Sequence, residues 1–193
     1  MTPTAHYPDL SHWEAEVDFH AVAAAGAPLV ITKASEGSSY VDPTYASFAS
    51  RIRSVPLILG AYTFLDVSPE RPQIDRFLNT AHLQKGDLQP IVDAEALGLS
   101  KAETFAALTD LEARGYRPLL YANLSFFRDT LGAPTRWWLW LADYTENLPL
   151  LPTGVKLFAW QRAEHGNFPG VSHPCDVNYL YVPITDLKTK FCI

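Results

Sequence analysis

The sequence predicts an α/β fold in which short buried strands alternate with helices along most of the chain. Apolar runs rich in β-branched and aromatic residues recur between stretches of helical periodicity, a pattern typical of a parallel sheet. After about residue 135 the helical stretches stop, and loops rich in Pro, Gly and Asn separate the strand-like runs. This alternation fits either an open doubly wound sheet or a closed α/β barrel.

The individual elements follow from local composition. A first strand is expected near residues 7–9, and later strands are expected at 28–33, 57–64, 89–93, 118–121, 137–142 and 155–161. Helices are expected between them at 18–25, 42–54, 69–80 and 100–114. In the last of these helices, Ser100 and Glu103 have the spacing of a capping box, and Gly115 is suited to end the helix.

Length and composition indicate one domain covering residues 1–193. The chain is 48% hydrophobic and 19% charged, which allows a sizeable core and excludes a disordered protein. No apolar run approaches the ~18 residues that a membrane-spanning helix needs. The first ten residues, MTPTAHYPDL, lack the basic and apolar regions of a signal peptide. Neither a leader nor membrane insertion is expected.

The charge balance and the aromatic content narrow the classes of ligand. The formal net charge is −6, which argues against nucleic acid as the main partner. Five Trp and nine Tyr exceed what a core of this size requires, and such rings commonly stack on sugars. A carbohydrate ligand is therefore favoured.

The two cysteines, Cys175 and Cys192, are expected to be free thiols. A disulfide between them is the alternative and would contribute ~3 kcal/mol to stability. Thiols are favoured because the sequence shows no signal peptide that would direct it to an oxidising compartment.

The sharpest local feature is an Asp-x-Glu pair, Asp93 and Glu95, at the end of a predicted strand. Side chains two residues apart on a strand project from the same face, and ligands of parallel α/β sheets bind at this end of the strands. Two adjacent carboxylates repel one another, which raises one pKa and leaves a proton donor near neutral pH. Glycoside hydrolysis requires such an acid and an ionised partner. The alternative is a solvated strand end in which one carboxylate caps the next helix.

Polar and aromatic residues also follow or end the other predicted strands. Asp9 follows the first strand, with a helix cap as the alternative, and Trp13 is expected in the core rather than on the wall of a cleft. Lys33 and Glu36 are expected to form a structural ion pair at a turn. The remaining residues at strand ends are Tyr62, Tyr121, Trp140, Asp143, Trp160 and Gln161. Their recurrence at successive strand ends predicts one shared site.

Other chemistries find little support. The sequence contains no G-x-S-x-G, P-loop, G-x-G-x-x-G or H-E-x-x-H motif, and its six histidines lie apart. Neither a cofactor nor a metal is expected. An oxygen-rich cluster of Asp9, Asp93, Glu95 and Asp176 leaves a hard cation as the alternative.

Seven motifs occur in order along nearly the whole chain: Asp-x-Ser-His-Trp at 9–13, Lys-Ala-x-Glu-Gly-x-x-Tyr-x-Asp-Pro at 33–43, Gly-Ala-Tyr-x-Phe at 60–64, Asp-x-Glu at 93–95, Trp-Leu-Ala-x-Tyr at 140–144, Trp-Gln at 160–161 and Asp-x-Asn at 176–178. Together they resemble glycoside hydrolase family 25, the Chalaropsis-type lysozymes that cleave peptidoglycan as N-acetylmuramidases. The resemblance implies a single catalytic domain with a distorted TIM-like barrel, in which five βα units precede three strands with little helix.

The resemblance also implies roles for individual residues. Glu95 would be the general acid and base, Asp93 its partner beside the reacting sugar, and Asp9 and Asp176 the rest of an acidic cleft floor. The residues expected to bind substrate are Tyr62, Phe64, Tyr121, Trp140, Asp143, Trp160 and Gln161. The reaction would retain the anomeric configuration, and assistance by the substrate's own acetamido group is favoured over direct attack by Asp93.

Three positions depart from the family pattern. Thr63 replaces a histidine after Gly-Ala-Tyr, Arg162 replaces a tyrosine after Trp-Gln, and Pro8 precedes Asp9 where Gly-Ile or a similar pair is more familiar. The acid, its partner and the cleft floor are all retained. These changes bear on the preference of the subsites rather than on activity.

The sequence therefore predicts a monomer that acts on the glycan strands of bacterial peptidoglycan, without metal, cofactor, nucleic acid or membrane. Because no signal peptide is visible, phage-type release through a holin, as for an endolysin, or another export route is expected. One alternative is a carbohydrate-binding relative without turnover, although retention of Asp93 and Glu95 argues against it. A metal-dependent polysaccharide deacetylase is another, which insensitivity to a chelator would exclude.

Overall fold

One nine-stranded sheet dominates the computed structural model, which describes residues 2–14, 16–132 and 135–193. Its strands are β1 (Ala5–Leu10), β2 (Leu29–Glu36), β3 (Tyr40–Val41), β4 (Ile58–Phe64), β5 (Ile91–Asp93), β6 (Leu119–Asn123), β7 (Trp138–Ala142), β8 (Leu157–Gly166) and β9 (Cys175–Leu180). They include every strand that the sequence pattern predicts, with shifted ends.

Eight of these strands close into a barrel, and β3 is a short hairpin extension of β2. Parallel pairs connect β1, β2, β4, β5, β6, β7 and β8 in that order. The ninth strand, β9, runs antiparallel between β8 and β1 and completes the ring. Of the two architectures that alternation allows, the closed barrel is the one formed, and the predicted distorted TIM-like fold is confirmed.

Helical segments follow the first five barrel strands. They are α1 (Phe19–Ala24), α2 (Tyr45–Arg53), α3 (Glu70–Ala81), α4 (Lys101–Ala113) and a π-helical segment, Phe126–Leu131. Within the described residues no helix joins β7 to β8 or β8 to β9, as predicted. The chain ends with α5 (Ile184–Asp186) and a second π-helical segment, Leu187–Phe191. No helix of the described residues is long and apolar enough to cross a bilayer.

Local signals place the helix ends. The predicted capping box of α4 is present, because Ser100 Oγ accepts from the backbone N–H of Glu103 and the Glu103 carboxylate accepts from the Ser100 N–H at 2.8 Å. Gly115 follows the helix with φ +92°, which glycine tolerates best. Asp18 caps α1 by accepting from the N–H groups of His20 and Ala21.

The core divides into two clusters, and the larger one joins the inner face of the barrel to helices α1 and α2 outside it. Ile91 and Trp140 belong to the cluster that includes the inner face of the barrel, whereas Val92 and Leu120 pack with Leu108 of α4 on the outer face. Side chains alternate between the faces along each strand. Asp93, two residues after Ile91, therefore faces the interior of the barrel at its open end.

Cys175 and Cys192 are both buried and free. Cys175 begins β9, directly before Asp176, and Cys192 forms an isolated antiparallel bridge with Leu88. Burial raises the pKa of the Cys175 thiol to about 12, so this thiol stays protonated and unreactive near neutral pH.

Candidate active site

A cleft of about 580 Å³ opens at the end of the barrel where the parallel strands finish. Six of the predicted site residues line it: Asp9, Tyr62, Phe64, Asp93, Glu95 and Asp176. Because β9 is antiparallel, its second residue, Asp176, lies at this same end and is paired in register with Asp9 of β1. The four predicted acids thus meet at one barrel mouth, although they are up to 167 positions apart in the sequence.

The buried amide of Gln161 links two of these acids. Its Nε2 donates to Asp9 Oδ2 at 3.1 Å and to Asp176 Oδ2 at 3.0 Å. Its Oε1 accepts from the hydroxyls of Tyr121 at 2.8 Å and Tyr144 at 3.0 Å. Because hydroxyl donors occupy the oxygen, the amide is oriented with its N–H groups toward the two carboxyl groups.

A second amide holds Asp9 from β9. Asn178 Nδ2 donates to Asp9 Oδ2 at 2.6 Å, and Asn178 Oδ1 accepts from Trp140 Nε1 at 2.7 Å. The indole thus fixes this amide in the same way that the tyrosines fix Gln161. Both acceptor oxygens of Asp9 are satisfied by side chains from the two strands that follow β7.

Burial raises the pKa of every acid in the cluster. The pKa of Asp9 rises to about 7, although hydrogen bonds from Asn178 and Gln161 oppose the rise, and that of Asp176 rises to about 9. The pKa values of Asp93 and Glu95 are also raised, first by burial. Repulsion by Glu95 adds to the effect at Asp93. Sequence reasoning anticipated raised pKa values but attributed them to repulsion, which is the smaller cause.

The charge of Lys33 acts on the Asp-x-Glu pair. Its positive charge lowers the pKa values of both Asp93 and Glu95, opposing burial. The predicted ion pair with Glu36 is present, with Nζ and Oε2 2.5 Å apart. Lys33 also lines the cleft, so it is more than the structural residue that the sequence indicated.

One oxygen in the cleft lacks a partner. Asp93 is buried, and its Oδ1 finds no hydrogen-bond donor among the described residues. A buried carboxyl oxygen left unpaired costs about 1–3 kcal/mol or more, and a catalytic role is one of the reasons for which native proteins retain such an atom.

Four residues expected to bind substrate lie beneath the cleft instead of on its wall. Trp140 and Trp160 are each 2% exposed, and Tyr121 and Gln161 are also buried. Tyr121 and Gln161 lie inside the barrel because β6 and β8 continue beyond the predicted strand ends, to Asn123 and Gly166. Trp140 lies inside as part of β7, where its Nε1 donates to Asn178. Trp160, next to the inward-facing Gln161, packs edge-on against Tyr179 instead. None can stack directly on a sugar ring.

Asp143 lies after β7, on a neighbouring cavity of about 440 Å³ that also includes Asn123 and Tyr144. Its backbone oxygen accepts from Trp160 Nε1 at 2.7 Å. Asp143 is therefore near the cleft that Tyr144 lines but does not itself line it.

The expectation for Trp13 was wrong. It was expected in the core, yet it is 77% exposed and lines the cleft, with its ring centroid 4.4 Å from that of His12. Its polar neighbours Ser11, His12 and Glu14 were a signal that the chain had left the strand. Sequence reasoning also missed Tyr144 as a cleft residue, although it ends the Trp-Leu-Ala-x-Tyr motif.

Comparison with known proteins identifies the family of this chain. Residues 8–171 match the model of the Glycosyl hydrolases family 25. The chain belongs to this family. The resemblance carried by the seven sequence motifs is confirmed, and the matched range includes Asp9, Asp93 and Glu95 but ends before Asp176.

Relatives of low sequence identity cover most of the chain. "Uncharacterized protein YegX" of Escherichia coli O6:H1 is 27% identical over 198 residues, covering 96% of this chain and 72% of the relative. "Autolytic lysozyme" of Clostridium acetobutylicum is 27% identical over 176 residues, covering 88% of this chain and 54% of that protein. The crystal structure of a bacterial lysozyme from Streptomyces coelicolor superposes with a TM-score of 0.86 at 24% identity, covering 98% and 97% of the two chains.

The raised pKa values predict how stability depends on pH. The folded chain holds the protons of Asp9 and Asp176 at pH values where the unfolded chain has lost them, because the ordinary pKa is 3.8. Their contribution to stability is therefore full below about pH 4 and is lost as the pH rises toward 9. Asp176→Asn should stabilise the protein at pH 8 by about 0.5–2 kcal/mol and leave it unchanged at pH 4.

Urea unfolding of both proteins across this pH range measures the difference. Glu146→Gln removes one negative charge from an exposed residue and serves as the control. A gain in the free energy of unfolding that does not grow with pH, or an equal gain in the control, would contradict the claim that burial raises the pKa of Asp176.

Proposed function

We propose that this family-25 chain is a lysozyme that hydrolyses the β-1,4 bond between N-acetylmuramic acid and N-acetylglucosamine of bacterial peptidoglycan, with retention of configuration. The observation that carries the proposal is the buried, unpartnered oxygen of Asp93 beside the half-buried Glu95 in one cleft. Family membership and the relative named "Autolytic lysozyme" support the substrate class.

Glu95 is the proposed general acid. Burial raises its pKa, as a proton donor requires, although a hydrogen bond from the side chain of Asn123 and the charge of Lys33 oppose the rise. Asn123 Oδ1 already accepts from Ser125 Oγ and from the Phe126 N–H, which leaves its N–H groups for Glu95. Glu95 gives its proton to the glycosidic oxygen as the bond breaks and then, as a base, takes a proton from the incoming water.

Asp93 is the proposed partner of the substrate's acetamido group. Its free Oδ1 is suited to accept from the acetamido N–H, which orients the acetamido oxygen for attack on the anomeric carbon. The N–H bond and the charge of Lys33 both favour the ionised form of Asp93, against the effect of burial. The cyclic intermediate is then opened by water.

The remaining predicted residues are proposed to hold the sugar or the acids. Asp9 and Asp176 form the floor, where the carboxyl group of Asp176, whose pKa rises to about 9, can donate to a sugar hydroxyl. The side chains of Tyr62, Phe64 and the exposed Trp13 supply the apolar surface. In this proposal the buried Tyr121, Trp140, Trp160 and Gln161 act as supports, and Asp143 borders a lateral extension of the cleft.

We propose that residues 1–193 act as one catalytic domain and as a monomer, without metal or cofactor. Among the described residues no group of three or more His, Cys, Asp or Glu side chains has an arrangement able to hold a metal ion.

Peptidoglycan lies outside the plasma membrane, so the protein has to leave the cytoplasm to reach it. Release through a holin-type pore is the proposed route, with another export route as the alternative.

Replacing the acid tests the proposal directly. Glu95→Gln should keep the fold and lower the rate of wall digestion by ~10²–10⁴, the range typical of losing a positioned acid. The measurement is digestion of purified peptidoglycan with mass analysis of the new reducing ends, and Glu146→Gln is the matched control. New N-acetylmuramic acid ends are expected from the wild type. Reducing N-acetylglucosamine ends, or near-wild-type lysis by folded Glu95→Gln, would contradict the proposal.

The role of Asp93 is tested by comparing two substitutions. Asp93→Asn should retain more activity than Asp93→Ala, because the amide oxygen still accepts from the acetamido N–H. A thiazoline mimic of the cyclic intermediate should inhibit the wild-type enzyme. A glycosyl ester trapped on the peptide containing residues 91–95, after reaction with a fluorinated substrate, would instead establish Asp93 as the nucleophile.

A further inference from the structure

Another cavity lies at the opposite end of the barrel from the cleft. It has a volume of about 340 Å³ and forms where β6, β7 and β8 begin. Arg117 precedes β6, Trp138 starts β7, Lys156 precedes β8, and Phe191 comes from the C-terminal π-helical segment. We call it the basic aromatic pocket.

The charge of this pocket is opposite to that of the protein. The chain carries a net charge of −6, yet the walls hold one carboxylate, Glu112, against four cations: Arg117, Arg136, Lys156 and Lys190. Glu112 is already engaged by Arg136 and by Trp137 Nε1, and Lys190 pairs with Asp186 at 2.8 Å. Within the described part of the chain, Arg117 and Lys156 are exposed and form no ion pair. Each side chain donates only to a backbone oxygen at its side of the pocket, that of Cys192 at 3.4 Å and that of Arg136 at 3.2 Å, among the described residues.

The pocket also holds a fixed aromatic face. Trp138 is 36% exposed, whereas the four residues that follow it in β7 are buried. Its ring packs edge-on against Phe191, with centroids 5.0 Å apart at 79°, and Phe191 packs in turn on Phe158. An exposed indole held in this way presents a flat apolar surface with little entropy left to lose on binding.

We propose that the basic aromatic pocket binds a polyol-phosphate chain of the bacterial wall. Such a polymer alternates anionic phosphates with short carbon segments, which matches cations at Arg117 and Lys156 beside the face of Trp138. The pocket would also offset the repulsion between a polyanionic wall and a protein of charge −6. This inference rests on the proposed function only in placing the enzyme at the wall, since the two sites occupy opposite ends of the barrel.

Calorimetric titration with soluble poly(glycerol phosphate) at low salt tests the binding without any turnover. Arg117→Glu with Lys156→Glu should weaken binding by at least about tenfold, and Trp138→Ala should weaken it as well. The double variant Arg117→Lys with Lys156→Arg keeps both charges and should bind like the wild type. Arg117→Gln with Lys156→Gln gives a milder charge loss if the reversed pair does not fold.

A wall assay separates this inference from the proposed function. The reversed variant should hydrolyse peptidoglycan stripped of anionic polymer at the wild-type rate and act several-fold more slowly on walls that retain the polymer. A wild type that fails on stripped peptidoglycan would overturn the proposed function, while the calorimetry still tests the pocket.

Three calorimetric results would overturn the pocket proposal. They are no measurable binding by the wild type, equal losses in the charge-keeping control, or equal binding of a single-stranded DNA of matched charge that does not depend on Trp138. The last result would show an unspecific cationic patch.

Discussion

Four carboxyl groups share the mouth of one barrel, and their charges have to be accommodated where water is largely excluded. The molecule does this with amides from the last two strands: Gln161 of β8 bridges Asp9 and Asp176, and Asn178 of β9 holds Asp9 from the other side. This arrangement depends on the antiparallel direction of β9, which brings Asp176 into register with Asp9. The pairing of β9 with β1 therefore both closes the barrel and brings the acids of the floor together.

The barrel carries opposite charge at its two ends. Acids line the cleft where the parallel strands finish. Arg117 and Lys156, which form no ion pair within the described residues, line the pocket where β6 and β8 begin. Each end has an exposed tryptophan, Trp13 at the cleft and Trp138 at the pocket. A chain with a net charge of −6 thus has one acidic and one basic surface, at opposite ends of the barrel.

Local sequence signals predict most of the fold, but not its closure. Strands and helices up to α4 follow from apolar periodicity and from caps such as Ser100, which depend on neighbouring residues alone. The closing pairs join β1 to β9, and no local pattern distinguishes them from the edges of an open sheet. The helix-poor last third indicated a change of architecture without specifying its direction.

The candidate site was predicted in part for a similar reason. Asp93 and Glu95 could be found because β5 ends at Asp93, close to the predicted end of the strand. Trp160 and Gln161 were predicted to end their strand, but β8 continues to Gly166 and both residues are buried. The amide of Gln161 contacts both Asp9 and Asp176. Gln161→Glu would replace the donating amide nitrogen with an oxygen that faces both Asp9 and Asp176. Urea unfolding at pH 8 should therefore show a free energy of unfolding lower by about 1–3 kcal/mol, with a smaller decrease at pH 5, where the new carboxyl group can donate a proton. The control Gln84→Glu, at an exposed site, should show neither effect. A loss independent of pH, or none at all, would contradict the claim that the oriented amide of Gln161 holds the two acids together.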